Sequence, residues 1–339
     1  MNELSAPFER LLADACTPEV VREVERGGTA SALWSRIAAS GFLDALVPEA
    51  AGGAGLRLAD VFPLFVSEGR HALPVPVAHT LLARAALAAG GAEAPDGPIA
   101  IATHARSGPG GAWSCPGTPC GRVAEWVAVA SGTGWMLLPT ARAVRRGGGV
   151  HGSLRADLDW AAPPDDAVAL PVSVDWAAAG AALAAAQLAG AMQRVLQQSV
   201  AFANERVQFG RSIGKFQSIQ HQLAVMAEHV TAAHMAAEIG CAGAGPLPDP
   251  LRAALAKARA SEAAVVATAT AHAVHGAIGV TAELDLQLFT RRIHEWRADF
   301  GAETHWNRVL GRALLASDAP LALDFMRSAL IPRNEDIRP

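Results

Sequence analysis

Between residues 206 and 226 the chain reads RVQFGRSIGKFQSIQHQLAVM, and five side chains in its first twelve positions, Arg206, Gln208, Arg211, Lys215 and Gln217, are cations or amides. Groups of this kind held close together can grip a phosphate or bond the edge of a planar polar ring, and a nucleotide diphosphate would suit them. The same residues equally fit a helix-turn-helix corner with solvated cations. Positioning falls to the flanking elements. A tight FG turn closes one helical segment and Gly214 interrupts, after which Phe216, Ile219, Leu223, Met226 and Val230 recur at intervals of three and four. That spacing predicts an amphipathic helix.

The neighbouring segments read the same way. Leu183, Leu188, Met192, Val195, Leu196 and Val200 predict a helix running into the corner, and Ala189, Gly190 and Ala191 would let another helix approach closely. Beyond the corner, helices are expected over 219–239, 251–274, 284–296 and 303–315, with GAGPLPDP (243–250) as a turn and 275–282 as a glycine-bearing break. This is the pattern of a helical bundle. Residues 4–98 are also helical in character, broken at Pro48, Gly52, Gly53 and Gly55 and stopped at Pro74 and Pro76. The loop VPEAAGGAGL is glycine-rich but lacks the lysine of a phosphate-binding P-loop. Between 99 and 176 the runs IAIATHA, WVAVAS and WMLLPT, separated by Gly and Pro, predict short strands. The expected fold is mostly α with a small central β domain: an α-helical N-terminal domain over 1–98, a reduced β domain over 99–176 and a C-terminal helical bundle over 177–339.

Composition narrows the function classes. With 339 residues, 51% of them hydrophobic, the chain can bury one large core or two to three packed subdomains. A formal charge of -4 and no long basic run argue against a nucleic-acid partner. Four cysteines, Cys16, Cys115, Cys120 and Cys241, are too scattered for a disulfide scaffold or a tetrathiolate zinc site, so no metal is expected. No charged-then-apolar leader is present and no apolar run free of Asp, Glu, Arg and Gly is long enough for a bilayer, which predicts a cytoplasmic protein with no membrane partner. Arg291, Arg292, His294, Glu295, Arg297, Asp299 and Glu303 read as a solvated or interfacial helix face laced with ion pairs, and His272 and His275 as satisfied helix-end histidines.

Two motifs carry a family resemblance. Arg206, Phe209, Gly210, Ile213, Phe216, Gln217, Ile219, Gln220, Leu223, Ala224 and Met226 stand in register with RxxFGxxIxxFQxIQxxLAxM, and His275, Gly276, Ile278, Gly279, Thr281, Glu283, Asp285, Leu286, Leu288, Arg291 and Arg292 with HGGIGFTxExDLxLYxRR. On these residues the chain resembles the acyl-CoA dehydrogenases, FAD-dependent enzymes that desaturate acyl-CoA thioesters. VPEAAGGAGL is similar to the loop joining helices in that family's N-terminal domain. The resemblance implies that Arg206 neutralises the FAD pyrophosphate across a subunit interface, that Gln217 bonds the adenosine or phosphate end, and that Phe209 and the loop of His275, Gly276 and Ala277 line the same cofactor. It also implies a carboxylate base for the α-proton, hydride transfer to FAD, an acyl-CoA substrate and an electron-transfer flavoprotein as acceptor.

Departures accompany the matches. Ala273 replaces a glutamine that usually contacts the nucleotide, the TExxxGSD loop of the family's eight-stranded β domain is replaced by SGPGGAWSCPGTPCG, and the two positions used for the base hold Gly301 and Gly180. Asp299, Glu303 and Glu295 are the nearest substitutes, Asp299 and Glu303 each two positions from Gly301. Lacking a base, the chain looks like the shorter subunit of α2β2 dehydrogenases that act on CoA thioesters of steroid side chains, where an unlike partner supplies the carboxylate. Two rivals stand beside it: a homo-oligomeric dehydrogenase with a displaced base, and a non-catalytic relative serving as an oligomerisation module.

Overall fold

The computed structural model describes residues 4–131, 134–162, 164–170 and 173–330, so the end of the expected C-terminal segment, 331–339, lies outside the described residues. The chain forms two compact units, one within Met1–Leu64, Leu73–Gly180 and Gly243–Leu247 and the other within Phe65–Ala72, Ala181–Ala242 and Pro248–Pro339.

The first unit opens with helices α1 (Ser5–Ala15), α2 (Pro18–Glu25) and α3 (Ser31–Ala38), followed by α4 (Leu58–Arg70), whose second half belongs to the other unit, and α5 (Val77–Ala89). Pro18 sits at the first turn of α2, where its missing N–H goes unneeded. Eight strands follow: β1 (Ile99–Ile101), β2 (Arg106–Ser107), β3 (Trp113–Thr118), β4 (Trp126–Ser131), β5 (Gly134–Pro139), β6 (Val144–Gly147), β7 (Ala156–Trp160) and β8 (Val168–Leu170). They form two four-stranded sheets, ordered β1-β4-β5-β8 and β2-β3-β7-β6. Trp113, Cys115, Val127, Val129, Leu138, Leu158 and Trp160 form their shared core.

Two residues pin α5 to the first strand. Thr80 Oγ1 accepts from the Ile99 amide (3.0 Å) and donates to the Pro76 carbonyl (2.7 Å), while His79 Nδ1 accepts from the Ile101 amide (3.1 Å). The strands among the described residues are two to six residues long. The stretch SGPGGAWSCPGTPCG contains β3 and is therefore not simply a loop.

The second unit is helical: α6 (Trp176–Glu205, its first residues in the other unit), α7 (Gln217–Cys241), α8 (Pro250–His275), α9 (Leu286–Ala298) and α10 (Glu303–Leu315). Asp249 caps α8, its carboxylate accepting from the Leu251 and Arg252 amides. The second half of α4 crosses α6 backbone to backbone. A Cβ on Gly190 would lie 1.9 Å from the Val66 carbonyl oxygen and one on Gly69 2.0 Å from that of Gln187, so neither position admits a side chain. Gln187 Nε2 donates to the Glu68 carboxylate (3.0 Å) in the same buried crossing.

By length and composition, residues 250–280 are apolar enough to cross a membrane, although Arg252, Arg259, Glu262 and Gly276 interrupt the run. In the fold α8 packs against α7, α9 and α10 and buries an alanine face, the surroundings of a core helix.

Candidate functional site

The corner between α6 and α7 is a small hairpin, β9 (Val207–Gln208) and β10 (Arg211–Ser212), with Arg211 paired to Gln208. Its two-residue turn places Phe209 at φ +52° and Gly210 at φ +78°, the twist that closes tight hairpins. The Ile213 amide donates to the Arg206 carbonyl (2.8 Å), tying the end of α6 to the far side of the turn. Gly214 then passes so close that a Cβ would lie 2.9 Å from Asn204 Oδ1. The chain enters α7 at Gln217 rather than at Ile219, and Gln220 Nε2 donates back to the Gly214 carbonyl (2.9 Å).

Within this corner Arg206, Gln208, Lys215 and Gln217 are exposed, and Phe209 is 92% exposed. Arg211 lies over the Phe216 ring at 4.1 Å, which Phe209 meets edge-on at 6.2 Å. An arginine stacked this way keeps its in-plane donors available while its stem is fixed. The result is a rigid hairpin tip presenting two guanidinium groups, an ammonium, amides and an aromatic face. That set suits a pyrophosphate beside a planar ring.

The second motif begins where α8 ends. Gly276 has φ +66° and ψ -150°, a conformation confined to glycine, and residues 276–278 are exposed. Gly279 is buried, with a hypothetical Cβ only 2.9 Å from that of His275. His275 turns inward, 7% exposed, stacked on Phe202 (4.4 Å between rings), and its Nδ1 donates to the Ala271 carbonyl at 2.8 Å. Burial holds its pKa below the usual histidine value despite that bond, so the ring is neutral near pH 7. A groove of about 230 Å³ runs beside it, lined by Gln198, Phe202, Glu205, His275, Asp285 and Leu286 among others. Gln198 and Phe202 carry no signal in the sequence and reveal themselves only once α6 is laid against the end of α8.

The position of the expected base is the turn between α9 and α10. Phe300 (φ +55°) and Gly301 (φ +95°) reverse the chain, and a Cβ on Gly301 would lie 2.9 Å from His305 Cδ2 and 3.1 Å from Trp306 Nε1. Lys257 reaches the turn from α8; fully buried, it donates to Ser261 Oγ (3.1 Å) and to the carbonyls of Arg297 and Gly301 (2.8 Å each). Of the substitutes, Glu303 is held by a two-pronged contact with Arg297, Nε to Oε2 at 3.0 Å and Nη2 to Oε1. Burial opposes its ionisation, yet the Arg297 fork keeps the Glu303 carboxyl below its ordinary value. Asp299 is 3% exposed at the end of α9. Gly180 is buried in the first turns of α6.

Within the charged run over 291–303 Arg292 and Asp299 are buried, Arg291, Glu295, Arg297 and Glu303 are half-buried and His294 is exposed, and ion pairs join Arg292 to Glu295 (3.4 Å) and Arg297 to Glu303. Cys115 is buried, its thiol pushed up to about 12 by burial, and among the described residues no group of three or more His, Cys, Asp and Glu side chains is placed to hold a metal.

Residues 175–314 match the family model described as acyl-CoA dehydrogenase, C-terminal domain. The chain is 30% identical over 262 residues to acyl-CoA dehydrogenase IpdE2 of Mycobacterium tuberculosis, covering 74% of this chain and 76% of the relative. It is 31% identical over 296 residues to IpdE2 of Mycolicibacterium smegmatis, covering 84% and 89%. Among solved structures, a variant of the steroid acyl-CoA dehydrogenase Tcur3481-Tcur3483 is 25% identical with a TM-score of 0.78, over 92% of this chain and 97% of that one. A chain of the ChsE4-ChsE5 complex from Mycobacterium tuberculosis shares the fold, with a TM-score of 0.80 and 21% identity over 94% and 97%.

Proposed function

Because this chain belongs to the acyl-CoA dehydrogenase family, whose cofactor is FAD, we propose that it is one subunit of a heteromeric dehydrogenase that introduces an α,β double bond into an acyl-CoA thioester. The observation that carries this reading is a division of parts. The nucleotide-gripping corner at Arg206 and Gln217 is whole and exposed, while the turn that should offer a carboxylate holds Gly301 and ties Glu303 to Arg297.

The residues present fit FAD. When bound, FAD supplies the hydride acceptor. Arg206 would neutralise the pyrophosphate, Gln217 would bond the adenosine or phosphate end, and Phe209 would lie beside it. Gly276 and Ala277 would bring backbone close, because an extra Cβ on Gly276 meets nothing within 4 Å and the space in front of the loop is open. His275 supports that loop from behind by its bond to Ala271. The chain's contribution is binding and orientation, and the α-proton goes to a carboxylate on the partner.

The partner is a second dehydrogenase-type chain. The ChsE4-ChsE5 complex and the Tcur3481-Tcur3483 dehydrogenase support this, since each is named for two components. That Tcur3481-Tcur3483 is a steroid acyl-CoA dehydrogenase also supports a steroid-derived acyl group. An electron-transfer flavoprotein is the acceptor by family analogy, and the protein is cytoplasmic in this reading. The deciding experiment is purification of the chain with and without a dehydrogenase-like chain encoded beside it. Flavin absorbance and thioester-dependent bleaching only in the pair support the proposal. Full activity from this chain alone, or no flavin in either preparation, overturns it.

A further inference from the structure

The groove beside His275 is lined with hydrogen-bond acceptors. Gln198 Oε1 is buried with no partner. His275, nine-tenths buried, spends Nδ1–H on the Ala271 carbonyl, which leaves Nε2 as an acceptor without a bond among the described residues. The carboxylates of Glu205 and Asp285 line the same groove, and the Phe202–His275 stack gives it a flat aromatic wall.

We propose that this groove receives the guanidinium of an arginine carried by the partner chain, an inference that rests on the heteromeric reading above. A guanidinium offers five N–H donors in one plane and no acceptor, which answers a lining of Gln198 Oε1, His275 Nε2 and the Glu205 carboxylate. Its flat face matches the stacked rings, which an ammonium does not. An adenine fits poorly: its ring nitrogens are acceptors and would meet carboxylates, and the phosphates that follow would be repelled by Glu205 and Asp285. The groove is thus a latch separate from the cationic corner. Glu205 ends α6 and Arg206 follows it, so a partner arginine seated here sits next to the cofactor-facing side chain.

The test uses the full chain, labelled with 15N at histidine and titrated with N-acetyl-L-arginine amide. The His275 imidazole signals should shift saturably, with half-saturation at about 1–10 mM as expected for one side chain. N-acetyl-L-lysine amide should bind several-fold more weakly. Glu205→Gln, an exposed position, and Gln198→Leu should each weaken the arginine titration at least about 5-fold, with circular dichroism unchanged. Absence of any shift overturns the proposal, as does a stronger response to AMP, which would give the groove to a nucleotide. Flavin binding is read separately, by fluorescence quenching in the assembled pair. Its loss in the Arg206→Ala pair, with the arginine titration of the Arg206→Ala single chain intact, separates the two sites, and a chain that binds arginine but whose pair never holds flavin would sink the cofactor reading alone.

Discussion

Lys257 and Gly301 stand 44 positions apart in the chain, and the ammonium of one donates to the carbonyl of the other at 2.8 Å. The turn where the base is expected is here clasped by a buried cation on α8. Lys257→Met removes the donor for Ser261 Oγ and for the carbonyls of Arg297 and Gly301. Leaving buried acceptors unsatisfied costs about 1–3 kcal/mol apiece, partly relieved by relaxation, so a loss of roughly 2–4 kcal/mol is expected. Urea unfolding of the two proteins measures it, and an unchanged midpoint would count against the clasp.

Restoring a carboxylate at this turn should not restore a base. Gly301→Glu must adopt φ +95° with its Cβ against His305 and Trp306, a strain of about 1–3 kcal/mol. The variant is expected to melt lower than the parent and to bleach no flavin when assayed without a partner. Activity from Gly301→Glu alone would show that the turn accommodates a working base.

Arg206 is exposed in the single chain, so replacing it should leave folding intact while weakening the flavin. A charge-assisted contact is worth about 1.5–3 kcal/mol, which predicts a roughly 10- to 150-fold rise in the FAD dissociation constant for Arg206→Ala. Arg206→Lys should recover part of it, since a lysine restores charge but not the two-pronged geometry. Isothermal titration of the assembled protein, read beside an unchanged melting temperature, checks both statements.

Much of this is legible in the residues themselves. Helix α10 falls on the predicted 303–315 because Gly301 precedes it and apolar residues recur at helical spacing. The corner declares itself because its cations and amides are local in sequence. Lys257 does not, because its carbonyl partners lie 40 and 44 residues away and no charge pattern marks them. Strand β3 hides behind Pro and Gly, and it pairs with β7, about 40 residues on, with a register shift between Cys115 and Thr118. The run over 291–303 reads as a solvated or interfacial face laced with ion pairs, but the sequence does not show that the Arg292–Glu295 pair is made under cover.

Acid should loosen the first unit through His79. Burial pushes its pKa down to about 4 from 6.5, so the fold favours the neutral ring whose Nδ1 accepts from the Ile101 amide. With the folded value below the unfolded one, the stabilisation is complete above pH 6.5, fades as pH falls towards 4 and is gone below it. The span corresponds to about 3 kcal/mol at most. Burial lowers His234, His272 and His275 as well, and they add to the slope with the same sign. His79→Asn, which keeps an acceptor without a titrating proton, should flatten the fall of the urea midpoint between pH 6.5 and about 4. Parallel curves for the two proteins would remove His79 from the account.

The crossing of α4 over α6 gives the sharpest steric test. A methyl group on residue 190 would sit 1.9 Å from the Val66 carbonyl oxygen, and that neighbour is backbone and cannot swing aside. The helices must therefore separate, which pulls Gln187 away from the buried Glu68 carboxylate and breaks a 3.0 Å bond made at the same crossing. Helix propensity alone would favour alanine over glycine by about 1 kcal/mol, so the sign of the measured change discriminates. Overpacking costs about 1–3 kcal/mol and leaving a buried polar pair unbonded a similar amount, and together they outweigh the propensity gain. Gly190→Ala is expected to destabilise by about 2–4 kcal/mol, while Gly311→Ala on α10, where an added Cβ meets nothing within 4 Å, should stabilise slightly. Thermal melts of both variants settle it, and a Gly190→Ala protein as stable as its parent would mean the two backbones do not touch.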